Sequence, residues 1–389
     1  MLTVVASLLL LTTFQPESPD SGRLLPVWPD AGPPLVLEIK GLGNGYSSPA
    51  IAGGRIFVTG ETDSTGYLLA FDLKGAMLWK TSYGKEFTLS FQGSRAAPVA
   101  AENLVYICSG TGEILCFETE SGRKRWSVNM VKDLGGINPT FGYSIPPAIN
   151  QDKLFCNPGG PQNNVVALNR FTGELIWSSP AKGETAGYGA SLLIELPDRT
   201  ILITSSEFNI LGLDANTGVL LWCYELAFKG EVPCNAPVFD DRNIYWSAGP
   251  GNGAVAAELS PEGSKIKVKW KNIEFDTFFG GFVRAGDYLY GSSDGLRKYV
   301  SIDTKTGKIR KNLAFGIGSV ISAGNQLIGY NQRGQVGLIR PAEEKMELTS
   351  TFKVASGTGE HFSHPVISGG RLYIRHGDTL LAYNIGTDE

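Results

Sequence analysis

Side chains able to bind or do chemistry are few in this chain and fall at recurring places. All three histidines lie near the C-terminal end, at His361, His364 and His376. His361-Phe-Ser-His364 has the spacing of a metal-ligating pair. It precedes a predicted strand, however, whereas zinc-protease pairs sit on a helix, so no metal is expected there. Tyr46, Arg95, Tyr143, Tyr188, Asn235 and Phe279 each stand just ahead of a short apolar stretch, as does the histidine pair. If those stretches converge, tyrosines, an arginine and histidines meet around one opening, a set suited to a polar or anionic ligand. Trp246, near the end of a strand pattern, would add a flat surface. No nucleophile–base set emerges, and no catalytic residue is assigned.

The five cysteines add little. Cys108, Cys116 and Cys156 sit in strand patterns and read as small buried apolar residues. Cys223 and Cys234 flank one connection and are the pair placed to join in an oxidising compartment. No C-x-x-C or C-x-x-C-H occurs, which removes ribbon-type zinc and covalently attached haem. The glycine clusters fall at hairpin turns, so neither a phosphate-cradling loop nor a G-x-S-x-G nucleophile elbow stands out.

The elements that must position these side chains are written in a repeat. A phrase of the form Ala-Leu-Asn-Arg-Phe-Thr-Gly-Glu-Leu-Ile-Trp recurs with its tryptophan at Trp79, Trp126, Trp177, Trp222 and, more loosely, Trp270. The steps are 47, 51, 45 and 48 residues, a period that means a propeller or a related array. Alternating apolar residues make a strand. The Asp, Asn or Glu that follows starts a turn, and Gly75, Gly122, Gly173, Gly218 or Gly307 permits a positive φ. A second strand carries the tryptophan, read as structural packing against the next repeat. A second feature runs from Pro49 to Ile56-Phe57, from Pro98 to Val105-Tyr106 and from Pro147 to Leu154-Phe155. It continues from Leu192, Pro237, Phe282, Val320 and Pro365. Two strands for each feature and two for each phrase give eight units of four strands.

The eighth unit has a third strand at Thr379–Ile385 but no fourth, while Leu35–Ile39 is an orphan strand pattern ahead of the first unit. The expectation is therefore an all-β, eight-bladed β-propeller of four-stranded antiparallel blades, closed by the N-terminal strand in the last blade. With 49 Gly and 21 Pro, the composition is turn-rich, as that architecture needs. A net charge of −4 without a basic run argues against nucleic acid. Residues 1–14 read as an export signal, too short for a membrane span. Residues 15–34 read as a linker and 35–389 as the propeller. Trp28, in the linker, is expected to matter little for stability. No cysteine precedes Cys108, so a lipid-bearing N-terminal cysteine is not expected.

The Ala-x-Asp-x-x-Thr-Gly-x-x-x-Trp phrase, best kept at residues 167–177 and 212–222, resembles the tryptophan-docking repeat of the pyrroloquinoline quinone (PQQ) propeller superfamily. Gly-Tyr-Ser-Ser-Pro (45–49), Gly-Ser-Arg-Ala-Ala-Pro (93–98) and Gly-Tyr-Ser-Ile-Pro-Pro (142–147) are similar to the exported PQQ-like, BamB-like and polyvinyl-alcohol-dehydrogenase-like propellers. The resemblance covers roughly residues 35–385. It implies either a quinoprotein dehydrogenase or a scaffold. The dehydrogenases resemble one another in a vicinal cysteine pair beneath the quinone, a tryptophan floor, and calcium held by Glu, Asn and Asp. This chain has no adjacent cysteines, and only Trp28 and Trp246 lie outside the repeat phrases.

Two readings follow. In the first, the chain is an exported, periplasmic or secreted monomeric propeller, a non-catalytic binding or scaffold module. It needs no cofactor and meets a protein, peptide or glycan at its funnel face. In the second, it is a compact dehydrogenase of alcohols or sugars using PQQ with calcium. The missing quinone-site features favour the first.

Overall fold

Strands that are apolar at nearly every position must be covered on both faces, and each repeat buries its second and third strands in this way. In the third unit, Lys153–Cys156 and Val165–Asn169 are almost wholly buried, while the outer strand Leu175–Ser179 alternates exposed and buried positions. The computed structural model describes residues 24–228, 233–342 and 345–387. The segment read as an export signal, and the linker up to residue 23, lie outside the described residues. Eight four-stranded antiparallel sheets make eight blades around a central channel, and no helix occurs among the described residues.

The innermost strands are Ala50–Ala52, Val99–Ala101, Ala148–Asn150, Leu192–Leu196, Val238–Asp240, Phe282–Ala285, Gly318–Ala323 and Val366–Ser368, in blades 1 to 8. Each is followed by a tight turn on one face of the ring. The long connections from each outer strand back to the next innermost strand lie on the opposite face. That face therefore displays the residues that precede the innermost strands.

The repeat phrase works as a lock between neighbouring blades. Asp214 Oδ1 accepts the backbone N–H groups of Asn216 and Thr217, both at 3.0 Å, and sets the turn. Gly218 then adopts φ of +74°. A Cβ at Gly218 would stand 2.5 Å from the Trp177 ring of the preceding blade, so the glycine serves both the turn and the close approach. The indole N–H of Trp177 donates to the Ala215 carbonyl at 3.1 Å. Trp79, Trp126 and Trp270 make the same bond to Thr119, Arg170 and Thr304 at 2.8–3.0 Å. Trp222 departs from this pattern. The next turn is Ser-Pro-Glu-Gly, and the buried Trp222 indole nitrogen has no hydrogen-bond partner among the described residues. Its ring is held by apolar packing with Ile244 and Val255.

Ring closure follows the expectation. Leu35–Ile39 pairs antiparallel with Thr379–Asn384 as the outer strand of blade 8, with Leu37 opposite Ala382 and Ile39 opposite Leu380. Leu37 and Ile39 pack with Ile56, Leu69 and Phe71 of blade 1. Arg375, fully buried, sends its guanidinium across the same seam to Ser47 Oγ at 2.8 Å and the Thr59 carbonyl.

Residues 24–34 correct the reading of a linker. The Leu25 N–H bonds to the Ile385 carbonyl at 2.8 Å. Trp28 is buried, packs edge-on against Phe352 at 5.5 Å between ring centres, and donates its backbone N–H to Ser350 Oγ at 2.9 Å. A tryptophan outside the repeat phrase thus serves the seam between blades 7 and 8. Two alanine variants test this. Trp28→Ala and Trp177→Ala should each lower unfolding free energy in denaturant melts by about 3–5 kcal/mol, the range for truncating a buried large aromatic side chain. A loss at Trp28 no larger than that of a surface substitution would contradict its seam role.

Candidate funnel-mouth site

The connections 40–49, 86–98, 130–147, 180–191, 273–281 and 354–365, and residues 226–228 and 233–237, bring side chains to one mouth of the channel. A cavity of about 1420 Å³ opens there. Of the residues expected at it, Tyr46, Arg95, Tyr188, Asn235, Phe279 and His364 line the cavity. Tyr143, Trp246 and His361 do not line it, and each has a local reason. The Tyr143 ring is buried between blades 2 and 3 and its hydroxyl donates to the Pro158 carbonyl at 2.7 Å. Trp246 lies on a second strand, Asn243–Ser247. It is buried between blades 4 and 5, edge-on to Tyr224 at 4.9 Å. The His361 ring stacks on His376 at 3.8 Å, and its Nδ1 meets the Tyr330 hydroxyl at 2.5 Å. The structure does not join His361 to His364 as a ligand pair, because His364 Nε2 donates instead to the Phe279 carbonyl at 2.9 Å.

Polar side chains at the mouth are largely committed to the protein itself. Arg95 donates to the carbonyls of Gly93 at 2.7 Å, Phe91 at 2.9 Å and Ser90. Its guanidinium lies 4.7 Å from the Phe87 ring centre. It therefore ties down the 87–93 loop, in which Phe91 takes φ of +44°. Asn235 donates to the carbonyls of Thr277 at 2.7 Å and Ser247 at 3.1 Å, and its Oδ1 accepts the Gly281 N–H at 2.9 Å. These bonds join blades 5 and 6. The Tyr188 hydroxyl accepts the Phe141 N–H at 3.1 Å, and burial pushes its pKa up to about 12. Burial likewise raises the Tyr46 phenol. Burial lowers His364, which favours a neutral ring donating from Nε2.

The surface left for a ligand is aromatic. The Phe362 ring enters the mouth between the two histidines. It stacks on Phe279 at 5.4 Å and meets Tyr46 at 5.7 Å and Phe91 at 5.9 Å. Phe141 packs on Tyr188 at 6.0 Å. Phe91, Phe141, Phe278 and Phe362 were not singled out in the sequence. All four lie within a few residues of ones that were, in the same connections, and aromatic type alone would have marked them. Around the mouth, Leu89, Ile137, Phe228 and Ile273 on the same connections are exposed, Leu89 to 87% and Ile273 to 72%. Deeper in, Arg284 pairs with Asp240 at 2.8 Å across blades 5 and 6.

Two chemical possibilities are answered by placement. Gly291-Ser-Ser-Asp-Gly295 has the letters of a nucleophile elbow, but it joins two strands, and Ser293 Oγ is buried and accepts the Leu296 N–H at 3.0 Å. Cys223 and Cys234 are unbridged.

The sequence profile of the family described as outer membrane protein assembly factor BamB matches residues 64–313. A quinoprotein ethanol dehydrogenase of Pseudomonas aeruginosa is 24% identical over 322 residues, covering 71% of this chain and 49% of that protein. The outer membrane protein assembly factor BamB of Burkholderia pseudomallei is 22% identical over 312 residues, covering 77% and 75%. The chain thus spans about half the length of the quinoprotein relative. Among solved structures, BamB from Moraxella catarrhalis superposes with a TM-score of 0.67 at 14% identity, over 90% of this chain and 99% of that one. A europium-containing methanol dehydrogenase gives 0.66 at 11%, over 88% and 85%. At those identities the structures speak for the fold.

The histidine stack has a pH signature. Burial first, then the neighbouring His376 and Lys353, lowers His361 to about 4, against about 6.5 for an unfolded histidine. The unfolded chain therefore takes up the proton first. This contribution is whole above pH 6.5 and is lost as pH falls through 4. His361→Gln should melt with a shallower decline between pH 7 and 4 than the wild type. Parallel profiles would mean that His361 titrates normally.

Proposed function

We propose that this chain, which belongs to the family of PQQ-like propellers described as outer membrane protein assembly factor BamB, is an exported binding module whose funnel mouth holds an apolar, aromatic-bearing segment of a protein partner. The observation that carries this reading is the state of the mouth. Its arginine, asparagine and histidine are bonded to the protein's own backbone, while Tyr46, Phe91, Phe141, Phe279 and Phe362 face the opening. Aromatic rings offer large contact area at low entropic cost. Exposed apolar residues on the same connections as the mouth favour a protein-contact face over a glycan site, where aliphatic Leu89, Ile137 and Ile273 would have no role.

The family also raises the dehydrogenase reading, and the residues present do not fit its cofactor. Calcium takes six to eight oxygen ligands, yet the cavity is lined by one carboxylate, Asp287, beside the turn on the opposite face of the ring. Among the described residues no group of three or more His, Cys, Asp or Glu could hold a metal ion. Trp246, which would offer a flat surface to a quinone, is enclosed between blades, and Arg95, whose charge would suit a quinone carboxylate, already serves three carbonyls.

Peptide display against the purified protein tests the binding role. Recovered peptides should carry paired aromatic or large aliphatic residues. They should lose about tenfold or more in affinity to a Phe279→Ala/Phe362→Ala variant, the scale of removing an aromatic hot spot. Binding untouched by that variant would place the partner elsewhere. Loading with PQQ and calcium should give no dye-linked alcohol oxidation. Turnover lost on chelation would establish the dehydrogenase instead.

A further inference from the structure

The lock between blades changes chemistry at one seam. In blade 6 the position of the phrase tryptophan is held by Lys311, which stands opposite Ser301 as Trp270 stands opposite Ala256. The lysine keeps one part of the tryptophan's role, because its Nζ donates to the Ala342 carbonyl of blade 7 at 2.5 Å. It does not keep the bulk. The cavity that begins at the aromatic mouth descends along the innermost strands of blades 5 to 7. It runs through this seam to the turns of the opposite face, along Lys311, Tyr288, Tyr290, Ser322, Asn325 and Pro341, with Asp287, paired to Lys305 at 3.7 Å, beside Tyr288.

Three observations meet here. Lys311 is 94% buried, being 6% exposed. An ammonium carries three donors. The protein answers one with Ala342 and covers another side with the Tyr288 ring at 4.6 Å. No carboxylate among the described residues forms an ion pair with it. Beside it in the cross-strand row that runs from Tyr290 to Ser301 to Lys311, Ser301 Oγ is buried without a hydrogen-bond partner. Among the described residues no anion answers this buried cation, and an open polar space beside it is where an anion would relieve the cost of burying the charge.

We propose that the seam between blades 6 and 7 is a binding site for a small oxyanion, a carboxylate or a phosphate, with Lys311 as its counter-charge. The site is separate from the aromatic mouth and goes beyond the binding role assigned there. Hydroxyls of Tyr288, Tyr290 and Ser322 and the Asn325 amide supply the neutral donors of its wall.

Calorimetric titration of the full chain with succinate and with inorganic phosphate, at ionic strength matched by sodium chloride, tests this. One of the two should bind saturably, and which one does distinguishes a carboxylate from a phosphate ligand. Lys311→Arg should retain binding. Lys311→Met should weaken it about tenfold or more, as loss of a charged hydrogen-bond donor does. Saturable binding by neither probe, or equal binding by Lys311→Met, overturns the proposal. If Lys311→Met fails to fold, Ser322→Asp is read in its place. Its added carboxylate should abolish binding, and unchanged affinity would overturn the site equally.

Discussion

Four of the eight seams of the ring rest on the contact of an indole face with a glycine of the next blade. A single blade is a four-stranded sheet whose middle strands are apolar on both sides, and alone it would expose both. The contact removes this exposure with one directional bond and one steric requirement. The indole N–H selects the carbonyl, and the missing Cβ at Gly122, Gly173, Gly218 or Gly307 permits the ring to lie on the backbone. Register between blades is thereby set at the outer rim of one face. The opposite face is left to longer connections that carry no such constraint, and it is there that the aromatic mouth has formed.

This division explains what could be read from the residues. The lock is local in sequence, so its spacing announces the repeat, while the eight copies of the hairpin feature announce the blade number and the missing fourth strand of the last unit the need for a closing strand. Trp28 escapes because it belongs to no phrase. Its burial arises from a seam made by residues more than three hundred positions away, Ser350 and Phe352. Nothing in the sequence around Trp28 reports that neighbour.

The mouth was legible in position but not in chemistry. Standing just before an innermost strand does bring Tyr46, Arg95, Tyr188, Asn235 and His364 to the cavity. Whether a polar head is offered to a ligand depends on backbone groups nearby, which residue types do not reveal. Arg95 reads as an anion receptor and is a loop clamp. Tyr143 occupies the equivalent place and turns into the seam, where the Pro158 carbonyl meets its hydroxyl. Phe91, Phe141 and Phe362 carry no polar head to commit and are left facing the cavity.

Closure by Leu35–Ile39 has a consequence for the order of assembly. This strand leaves the ribosome before every other strand of the ring and pairs with Thr379–Asn384, the last. Each of the first seven blades is complete once its own outer strand has emerged, whereas the eighth cannot be. Throughout synthesis the chain therefore carries an unpaired leading strand, and the blade that closes the ring pairs two strands over a longer sequence separation than any other strand pair described, the slowest kind of contact to make. Vectorial synthesis thus favours a partly built, open spiral whose two ends are both adhesive edges.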